Sequence, residues 1–382
     1  MHKAIYMDYC ATTPCDPGVV EKMLPFFTGV FGNAASGDHI FGWEAKEAVD
    51  EAREKVARLI HGKSSEITFT SGATEAINLA LKGLMESGTT RGKHIITNRA
   101  EHKAVLDTCA YLEDKGYEVT WLDVDEQGSI SLEALENAVR PDTAVIAIQY
   151  ANNETGVIHP VREIGSIARK KNVYFLCDAT QAVGKIPVDV VADKIDMLAF
   201  SGHKIYGPKG IGVLYVNNQS KINLSIQQHG GNHERGRRSG TLNVPAIVGI
   251  GEAASICQQE LSTSTEGIRL AGLRNRLEAA LLSAVAGIRI NGGKVTRLPQ
   301  VTSVLFPGVN GEQLLLAVSA RLALSRGSAC SSAQRIPSHV IMAMGLGETA
   351  AHDSIRFSLG RFTKEEEVDA AVGILCNSNL IT

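Results

Sequence analysis

The sequence predicts an α/β fold in which a mostly parallel sheet is covered by helices. From about residue 45 to 220, short apolar segments alternate with longer amphipathic segments. The apolar segments have the length of buried strands, and the amphipathic segments are long enough to cross over a sheet and join parallel strands. Seven strands are expected, at residues 67–70, 94–97, 118–122, 144–149, 173–177, 197–200 and 212–216.

Helices are predicted between these strands, among them residues 43–60, 74–85 and 161–170. Residues 217–244 interrupt the alternation because they are polar, rich in Gly and Arg, and without apolar periodicity. Long loops in compact domains are usually functional, so we expect an exposed functional connection here. After Pro245 a long helical stretch is predicted to about Ala286, and shorter strands at 303–306 and 354–359 follow among helices.

The composition is that of an ordinary folded chain with no excess of positive charge. Of 382 residues, 44% are hydrophobic and 21% charged, and 38 Lys and Arg stand against 41 Asp and Glu. A formal charge of -3 argues against a dedicated nucleic-acid binder, so no direct nucleic-acid binding is expected. No apolar run approaches the roughly 18 residues that a membrane span needs, so no membrane partner is expected.

The cysteines indicate free thiols. Seven cysteines are scattered along the chain without CxxC spacing, which favours neither a disulfide framework nor a zinc module. The N-terminus reaches an acid at Asp8 before any apolar core, unlike a secretory signal. A cytoplasmic protein without a metal site is therefore expected, and a thiol with a chemical role becomes admissible.

Residues 67–75 suggest an anion site. A strand, the small-residue turn Ser71-Gly72-Ala73 and the start of a helix would point unpaired backbone N–H groups and the helix dipole at a phosphate. The alternative is that Ser71 or Thr74 only caps the helix.

Two further segments end predicted strands with reactive side chains. Asp178 follows a buried strand at the sheet edge where ligands bind, and it could pair with a protonated ring nitrogen or cap a following helix. Lys204 follows Ser201-Gly202-His203 in a Gly-rich turn that would restrict its amine, whereas a lone lysine is usually solvated. A phosphate cradle, an acid for a ring nitrogen and an imine-forming amine together are the parts of a pyridoxal phosphate site.

An ordered set of motifs extends over almost the whole chain. These motifs are Asp8-x-x-Ala11-Thr12-Thr13-Pro14, Phe31-Gly32-Asn33, Thr70-Ser71-Gly72-Ala73-Thr74-Glu75, Glu101-His102, Asn152-Asn153-Glu154-x-Gly156, Asp178-x-x-Gln181, Ser201-Gly202-His203-Lys204, Arg238-Ser239-Gly240-Thr241, Gly327-Ser328-Ala329-Cys330-Ser331-Ser332 and Ser354-Ile355-Arg356-Phe357-Ser358-Leu359-Gly360-Arg361. In this order they closely resemble the cysteine desulfurases of the NifS/IscS type, which are fold-type I pyridoxal phosphate enzymes of the class V aminotransferase family.

The resemblance implies a homodimer that binds pyridoxal 5'-phosphate, with a large cofactor-binding domain at residues 15–258. Residues 1–14 and 259–382 would form a smaller α+β domain that carries a catalytic cysteine loop at about 325–337. Lys204 would bind the cofactor covalently, and His102 would stack on its ring and assist proton transfer; without the resemblance, His102 is a surface or capping residue. Asp178 would keep the ring nitrogen protonated.

The remaining site residues take their roles from the same resemblance. Asn153 and Gln181 would contact the phenolate-oxygen side of the cofactor or the substrate. Arg356 would bind the substrate carboxylate with help from Asn33. Without the resemblance, the expected role of Arg356 is a surface ion pair. The phosphate would be held by Ala73, Thr74, Ser201 and His203, with Thr241 reaching the phosphate of the neighbouring subunit.

Cys330 distinguishes the implied reaction from transamination. Its small and polar surroundings differ from those of a structural buried cysteine. Its thiolate would take sulfur from L-cysteine, leaving L-alanine and a Cys330 persulfide for an acceptor protein. Iron–sulfur cluster assembly is the expected pathway, where Cys330 could transiently ligate a cluster on the scaffold, with tRNA thiolation and DNA phosphorothioation as alternatives. An aminotransferase, a selenocysteine lyase and a non-catalytic sulfur-relay partner are the rival functions.

Overall fold

The computed structural model describes residues 4–327, 337–378 and 380–381. Its strands are β1 Ile5–Tyr6, β2 Ile67–Thr70, β3 His94–Asn98, β4 Glu118–Leu122, β5 Thr143–Ala147, β6 Tyr174–Asp178, β7 Met197–Ser201, β8 Gly212–Val216, β9 Arg289–Asn291, β10 Val301–Leu305, β11 Leu322–Ala323 and β12 Ser354–Ser358. Its α-helices are α1 Pro17–Met23, α2 Pro25–Thr28, α3 Ile40–Leu59, α4 Ala73–Met85, α5 Lys103–Asp114, α6 Leu132–Ala138, α7 Val161–Lys171, α8 Val244–Thr263, α9 Thr265–Ala284, α10 Gly311–Val318, α11 His339–Ala343, α12 Gly347–Asp353 and α13 Glu365–Cys376.

The central sheet has seven strands in the order β2-β8-β7-β6-β5-β3-β4. Strand β8 is antiparallel to both of its neighbours, and the remaining pairings are parallel. Each of the seven predicted strands is present, with ends displaced by at most two residues. The predicted α/β class is confirmed.

Helices cover both faces of this sheet because successive side chains of a strand point to opposite faces. On β7, Leu198 packs in one apolar cluster with α3, α7 and α8, whereas Ala199 packs in the other with α4 and α5. Helices α3 and α8 approach closely, since a Cβ added at Gly251 would lie 2.6 Å from the Cβ of Ala52. The sheet is therefore buried on both sides, as its continuous apolar strands require.

A third apolar cluster lies apart from the central sheet. It is formed by the antiparallel sheet β12-β10-β9, the pair β1-β11 and helices α9, α10 and α13. This arrangement supports a small domain made of both chain ends, and the division at residues 14 and 258 stays a prediction. Residue 258 itself lies inside α8, directly after Cys257, which is the last buried residue of that helix.

The helical stretch predicted after Pro245 is two helices rather than one. Ser264 adopts the left-handed conformation with φ 55°, which ends α8 and lets α9 start at Thr265. The change of direction lets Leu270, Leu273 and Leu277 of α9 join the third cluster. The period of apolar residues carries no sign of such a single-residue break.

Candidate active site

Six of the seven strands run in the same direction, and a cavity of about 550 Å³ opens at the edge where they end. The segments that follow β2, β3, β5, β6 and β7 all contribute to its walls. This is the edge where open α/β sheets bind ligands. Ten of the predicted site residues line the cavity: Ala73, Thr74, His102, Asn153, Asp178, Gln181, Ser201, His203, Lys204 and Arg356.

The turn between β2 and α4 presents an uncapped helix N-terminus to the cavity. Gly72 is the N-cap residue and supplies no side-chain cap, so the alternative of a capping Ser71 or Thr74 is wrong. The Glu75 carboxylate also lines the cavity, and its charge is partnered: it accepts from Ser71 N at 2.8 Å and from Arg238 Nε at 2.8 Å. Because no side chain caps this helix, the first N–H groups of α4 are available to an anion.

His203 and Ser201 close the other side of this turn. Nδ1 of His203 lies 3.1 Å from Oγ1 of Thr12, and burial together with the charge of Lys204 lowers the pKa of His203 to about 4. The imidazole is therefore neutral at physiological pH and can donate one hydrogen bond to an anion.

His102 caps a helix, as the alternative predicted, and it also lines the cavity, while its role beside a cofactor ring stays a prediction. It is the N-cap of α5, and its Nδ1 accepts a hydrogen bond from Ala104 N at 3.1 Å. Because Nδ1 is an acceptor, we assign the ring proton of the neutral imidazole to Nε2. Burial lowers the pKa of His102, with the charge of Lys204 adding to the effect.

Asp178 ends β6 with its carboxylate on the cavity wall. Its Oδ1 accepts from Thr180 N at 3.0 Å, so it closes a turn, and a helix does not begin at this point. The side chain is 7% exposed. A carboxylate this enclosed is stabilised by a cationic partner, which fits the predicted pairing with a protonated ring nitrogen.

Lys204 ends a short 3₁₀ turn, Gly202–Lys204, directly after β7. Its Nζ donates to the backbone oxygens of Cys10 and Ala11. Burial lowers the pKa of Lys204 to about 8, and the charges of Arg356 and Lys185 act in the same direction. A lowered pKa raises the fraction of neutral amine, the form that attacks a carbonyl group.

Arg356 lies on β12 of the outer sheet and reaches into the cavity. Its Nη1 donates to the Asn153 backbone oxygen at 2.9 Å, and its Nη2 donates to Asp8 Oδ1 at 2.6 Å. The residue is 2% exposed, so the alternative of a surface ion pair is wrong. Its Nε has no hydrogen-bond partner within the described residues.

Three predicted residues lie elsewhere. Asn33 is exposed, accepts from Ala35 N at 2.9 Å and does not line the cavity. Thr241 is also exposed and outside the cavity wall of its own chain. Cys330 lies outside the described residues, as does most of the predicted loop at 325–337. The roles assigned to these residues stay predictions.

The structure adds site residues that the sequence analysis did not assign. Cys10 and Ala11 provide backbone oxygens to Lys204, and Gln149 lines the cavity. Backbone groups leave no signal in side-chain patterns. Asp8 could have been found, because it opens the first motif of the resemblance and only its pairing with Arg356 required the structure.

The residues present fit pyridoxal phosphate. Asn153 Oδ1 and Gln181 Oε1 are buried without a hydrogen-bond partner among the described residues, and the N-terminus of α4 lacks a side-chain cap. Buried polar atoms are rarely left unpaired in a working protein. A polar ligand with a phosphate at one end and hydrogen-bonding ring substituents would satisfy all three.

Comparison with known proteins agrees with this site. Residues 5–371 match the family model described as Aminotransferase class-V. The chain is 51% identical over 368 residues to "Cysteine desulfurase IscS" of Anaeromyxobacter dehalogenans (strain 2CP-C), covering 96% of this chain and 90% of that protein. The chain therefore belongs to the class-V aminotransferase family, and within it to the cysteine desulfurases.

Solved structures point the same way. The fold matches a structure titled "NIFS-LIKE PROTEIN" with a TM-score of 0.91 and 39% identity, over 98% of this chain and 99% of that one. It also matches "SspA in complex with cysteine" with a TM-score of 0.82 and 37% identity, over 94% and 99% of the two chains. The predicted family and enzyme class are confirmed, and these families are pyridoxal phosphate enzymes. Among the described helices, none is both long and apolar enough to cross a membrane.

Proposed function

We propose that this chain binds pyridoxal 5'-phosphate at the sheet edge and uses it to remove sulfur from L-cysteine. The substrate Cβ–S bond breaks, an S–S bond forms on the Cys330 thiolate, and a proton returns to Cβ. The products are L-alanine and a Cys330 persulfide, so atoms and charge balance without an external oxidant.

The observation that carries the proposal is the convergence of three chemically distinct groups in one cavity. Lys204 supplies an amine with a lowered pKa, Asp178 an enclosed carboxylate, and Arg356 a guanidinium with an unpartnered Nε. Amino-acid chemistry on this cofactor requires three groups: a neutral amine, an acid that pairs with the ring nitrogen, and a cation that binds the substrate carboxylate. When bound, pyridoxal phosphate supplies an electron-withdrawing ring that stabilises negative charge at the substrate α-carbon.

The residues around the cofactor would act as holders and proton carriers. The first turn of α4, Ser201 and His203 would hold the phosphate, and Asp178 would keep a proton on the ring nitrogen. Once released by substrate, Lys204 would take the α-proton because its amine is neutral in a useful fraction of molecules. His102 Nε2 would donate or accept a proton above the ring.

Arg356 would bind the substrate carboxylate. Its fork is held in place by Asn153 O and Asp8, which leaves the planar group fixed before substrate arrives. Fixed donors cost little ordering entropy on binding.

A homodimer would complete this site. Exposed apolar side chains crowd the region of residues 24–43, where Phe27, Phe31 and Trp43 are each more than half exposed. Apolar surface of this kind is typical of an interface between subunits. With that surface covered by a second copy, the exposed Thr241 would be free to contact the phosphate of the partner subunit.

The sulfur on Cys330 would pass to an acceptor protein, and iron–sulfur cluster assembly is the pathway we propose. The cysteines within the described residues are all free, which is consistent with a reducing cytoplasm that keeps Cys330 a thiol.

The test is to incubate the purified dimer with L-cysteine and a thiol reductant and to quantify alanine and sulfide. Equal amounts of both are expected from the wild-type protein, with loss of both in Cys330→Ala while cofactor absorbance is retained. Cys376→Ala is the matched control, because Cys376 is a free thiol on α13 outside the cavity. Full activity of Cys330→Ala, or keto-acid formation in place of sulfide, would overturn the proposal.

A further inference from the structure

Lys185 is a charged side chain behind the active site that the proposed reaction does not use. It lies in the segment after Gln181, half-buried, and its Nζ donates to the backbone oxygen of Lys204 at 2.7 Å. The salt bridges of the described residues pair no carboxylate with it. Lys185 also lines a second cavity, whose wall carries Glu260, Glu266 and Arg361, yet its printed hydrogen bond goes to the Lys204 oxygen and not to a carboxylate.

The chain around Lys204 explains why its carbonyl needs a donor. After the 3₁₀ turn ending at Lys204, Tyr206 adopts φ 64°, and the backbone leaves the regular hydrogen-bonding pattern. Thr13 binds the chain on either side of Lys204, since its N donates to His203 O at 2.9 Å and its Oγ1 accepts from Tyr206 N at 2.9 Å. The Lys204 backbone oxygen itself accepts a hydrogen bond from Lys185 Nζ.

Lys185 also acts on the Lys204 amine through its charge. Burial of the Lys185 side chain lowers its own pKa, and its charge adds to the lowering of the pKa of Lys204. Other charged or titratable groups facing the Lys204 amine are Arg356, Cys10 and Asp8, and those lining the same cavity are His102, Asp178 and His203. A like charge favours the uncharged form of its neighbour.

We propose that Lys185 is a positioning residue whose hydrogen bond and positive charge hold Lys204 ready as a neutral amine. The inference rests on the proposed function, because it concerns the residue that binds the cofactor. A purely structural role would need only a donor to the Lys204 oxygen, whereas this role needs the charge as well.

Three variants separate the two roles. Lys185→Arg keeps donor and charge, Lys185→Gln keeps a donor without charge, and Lys185→Met removes both. Lys170→Met is the matched control, since Lys170 is an exposed lysine on α7 that pairs with Glu136 at 2.8 Å. Thermal unfolding of each variant establishes that it is folded.

The measurement is the visible absorbance of the bound cofactor against pH, which reports protonation of its linkage to Lys204 without turnover. We expect the midpoint to rise by about 1 pH unit in Lys185→Gln and Lys185→Met, and to stay near the wild-type value in Lys185→Arg and Lys170→Met. A wild-type midpoint in Lys185→Gln would overturn the inference. A wild-type protein that takes up no cofactor would overturn the proposed function instead, so the two failures are distinguishable.

Discussion

Two buried arginines of this chain are paired with carboxylates in opposite ways. Arg356 at the cavity donates to Asp8 and to one backbone oxygen, and its Nε is unpartnered within the described residues. Arg53 of α3 donates through Nη1 and Nη2 to both oxygens of Glu234, each at 2.7 Å, and through Nη1 to Ile67 O at 3.0 Å. Glu234 accepts from Arg53 with both carboxylate oxygens, whereas Asp8 accepts from Arg356 with one oxygen only.

The acid of the second pair has a further partner. Glu234 Oε2 also accepts from Phe69 N at 2.7 Å, and the Arg53 guanidinium carbon lies 4.6 Å from the centre of the Phe69 ring. Glu234 belongs to the long connection between β8 and α8, which is otherwise mostly exposed. The Arg53–Glu234 pair therefore holds the segment between β8 and α8 against the edge strand β2 of the sheet.

The difference between the pairs distinguishes a binding group from a structural one. Burial and charge are alike, so neither identifies the functional arginine. What separates them is the form of the pairing: Glu234 occupies both terminal nitrogens of Arg53, whereas Asp8 occupies one nitrogen of Arg356 at the wall of the active-site cavity and leaves its Nε–H without an acceptor among the described residues. A guanidinium of the second kind can take a substrate carboxylate. Substitutions at the Arg356–Asp8 pair should therefore lower kcat/KM for the substrate, whereas substitutions at the Arg53–Glu234 pair should lower the free energy of unfolding.

The largest expected effect is that of Arg356→Lys on substrate use. Lysine keeps the charge but loses the fork, so two charge-assisted hydrogen bonds to the substrate carboxylate are lost or weakened. We expect kcat/KM for L-cysteine to fall about 1000-fold, equivalent to about 4 kcal/mol. Steady-state alanine release measures this, with cofactor occupancy checked by absorbance.

Arg53→Lys is the control for this substitution, since it makes the same change at the pair in which both carboxylate oxygens are used. Its kcat/KM for L-cysteine should equal the wild-type value in the folded protein. A fall in kcat/KM as large as that of Arg356→Lys would show that the unpartnered donor of Arg356 has no special role.

The second effect is that of Glu234→Ala on stability. Removing the acid leaves Arg53 charged and buried without its main partner, which typically destabilises a protein by 3–5 kcal/mol. We expect a loss of about 3 kcal/mol, because a cavity lined by Arg53 and Asn232 lets water approach. Urea unfolding measures the loss, and KM should stay unchanged. Glu47→Ala, an exposed acid on the same helix α3, should leave the unfolding midpoint in place.

The same contrast shows what the sequence could reveal. The strands and the helices that join them follow from the local pattern of apolar residues. Asp178 at the end of β6 and Lys204 shortly after β7 could also be placed at the site, because parallel strands bring their carboxyl ends together. Arg356 needed the family resemblance, since nothing local to β12 points at the cavity. Glu234 pairs with Arg53, which is 181 residues away in the chain, and Asp8 pairs with Arg356, which is 348 residues away. Pairs so far apart in the chain leave no local pattern in the sequence. The end of α8 at Ser264 was not predicted for a related reason, because a single left-handed residue does not change the spacing of the apolar residues around it.

The smallest expected effect is that of Phe69→Leu, which tests a further contact of the Arg53–Glu234 pair. The substitution keeps an apolar side chain on β2 but removes the ring under Arg53. Phe175→Leu is the matched control, since Phe175 is equally buried on β6 and no arginine lies over its ring among the described contacts. The two variants share the loss of ring volume, so the difference in their unfolding free energies isolates the ring's attraction for the guanidinium. We expect Phe69→Leu to be the more destabilised by about 1 kcal/mol, with wild-type KM in both. Equal losses in urea unfolding would mean that the hydrogen bonds to Glu234 and Ile67 hold Arg53 without help from the ring.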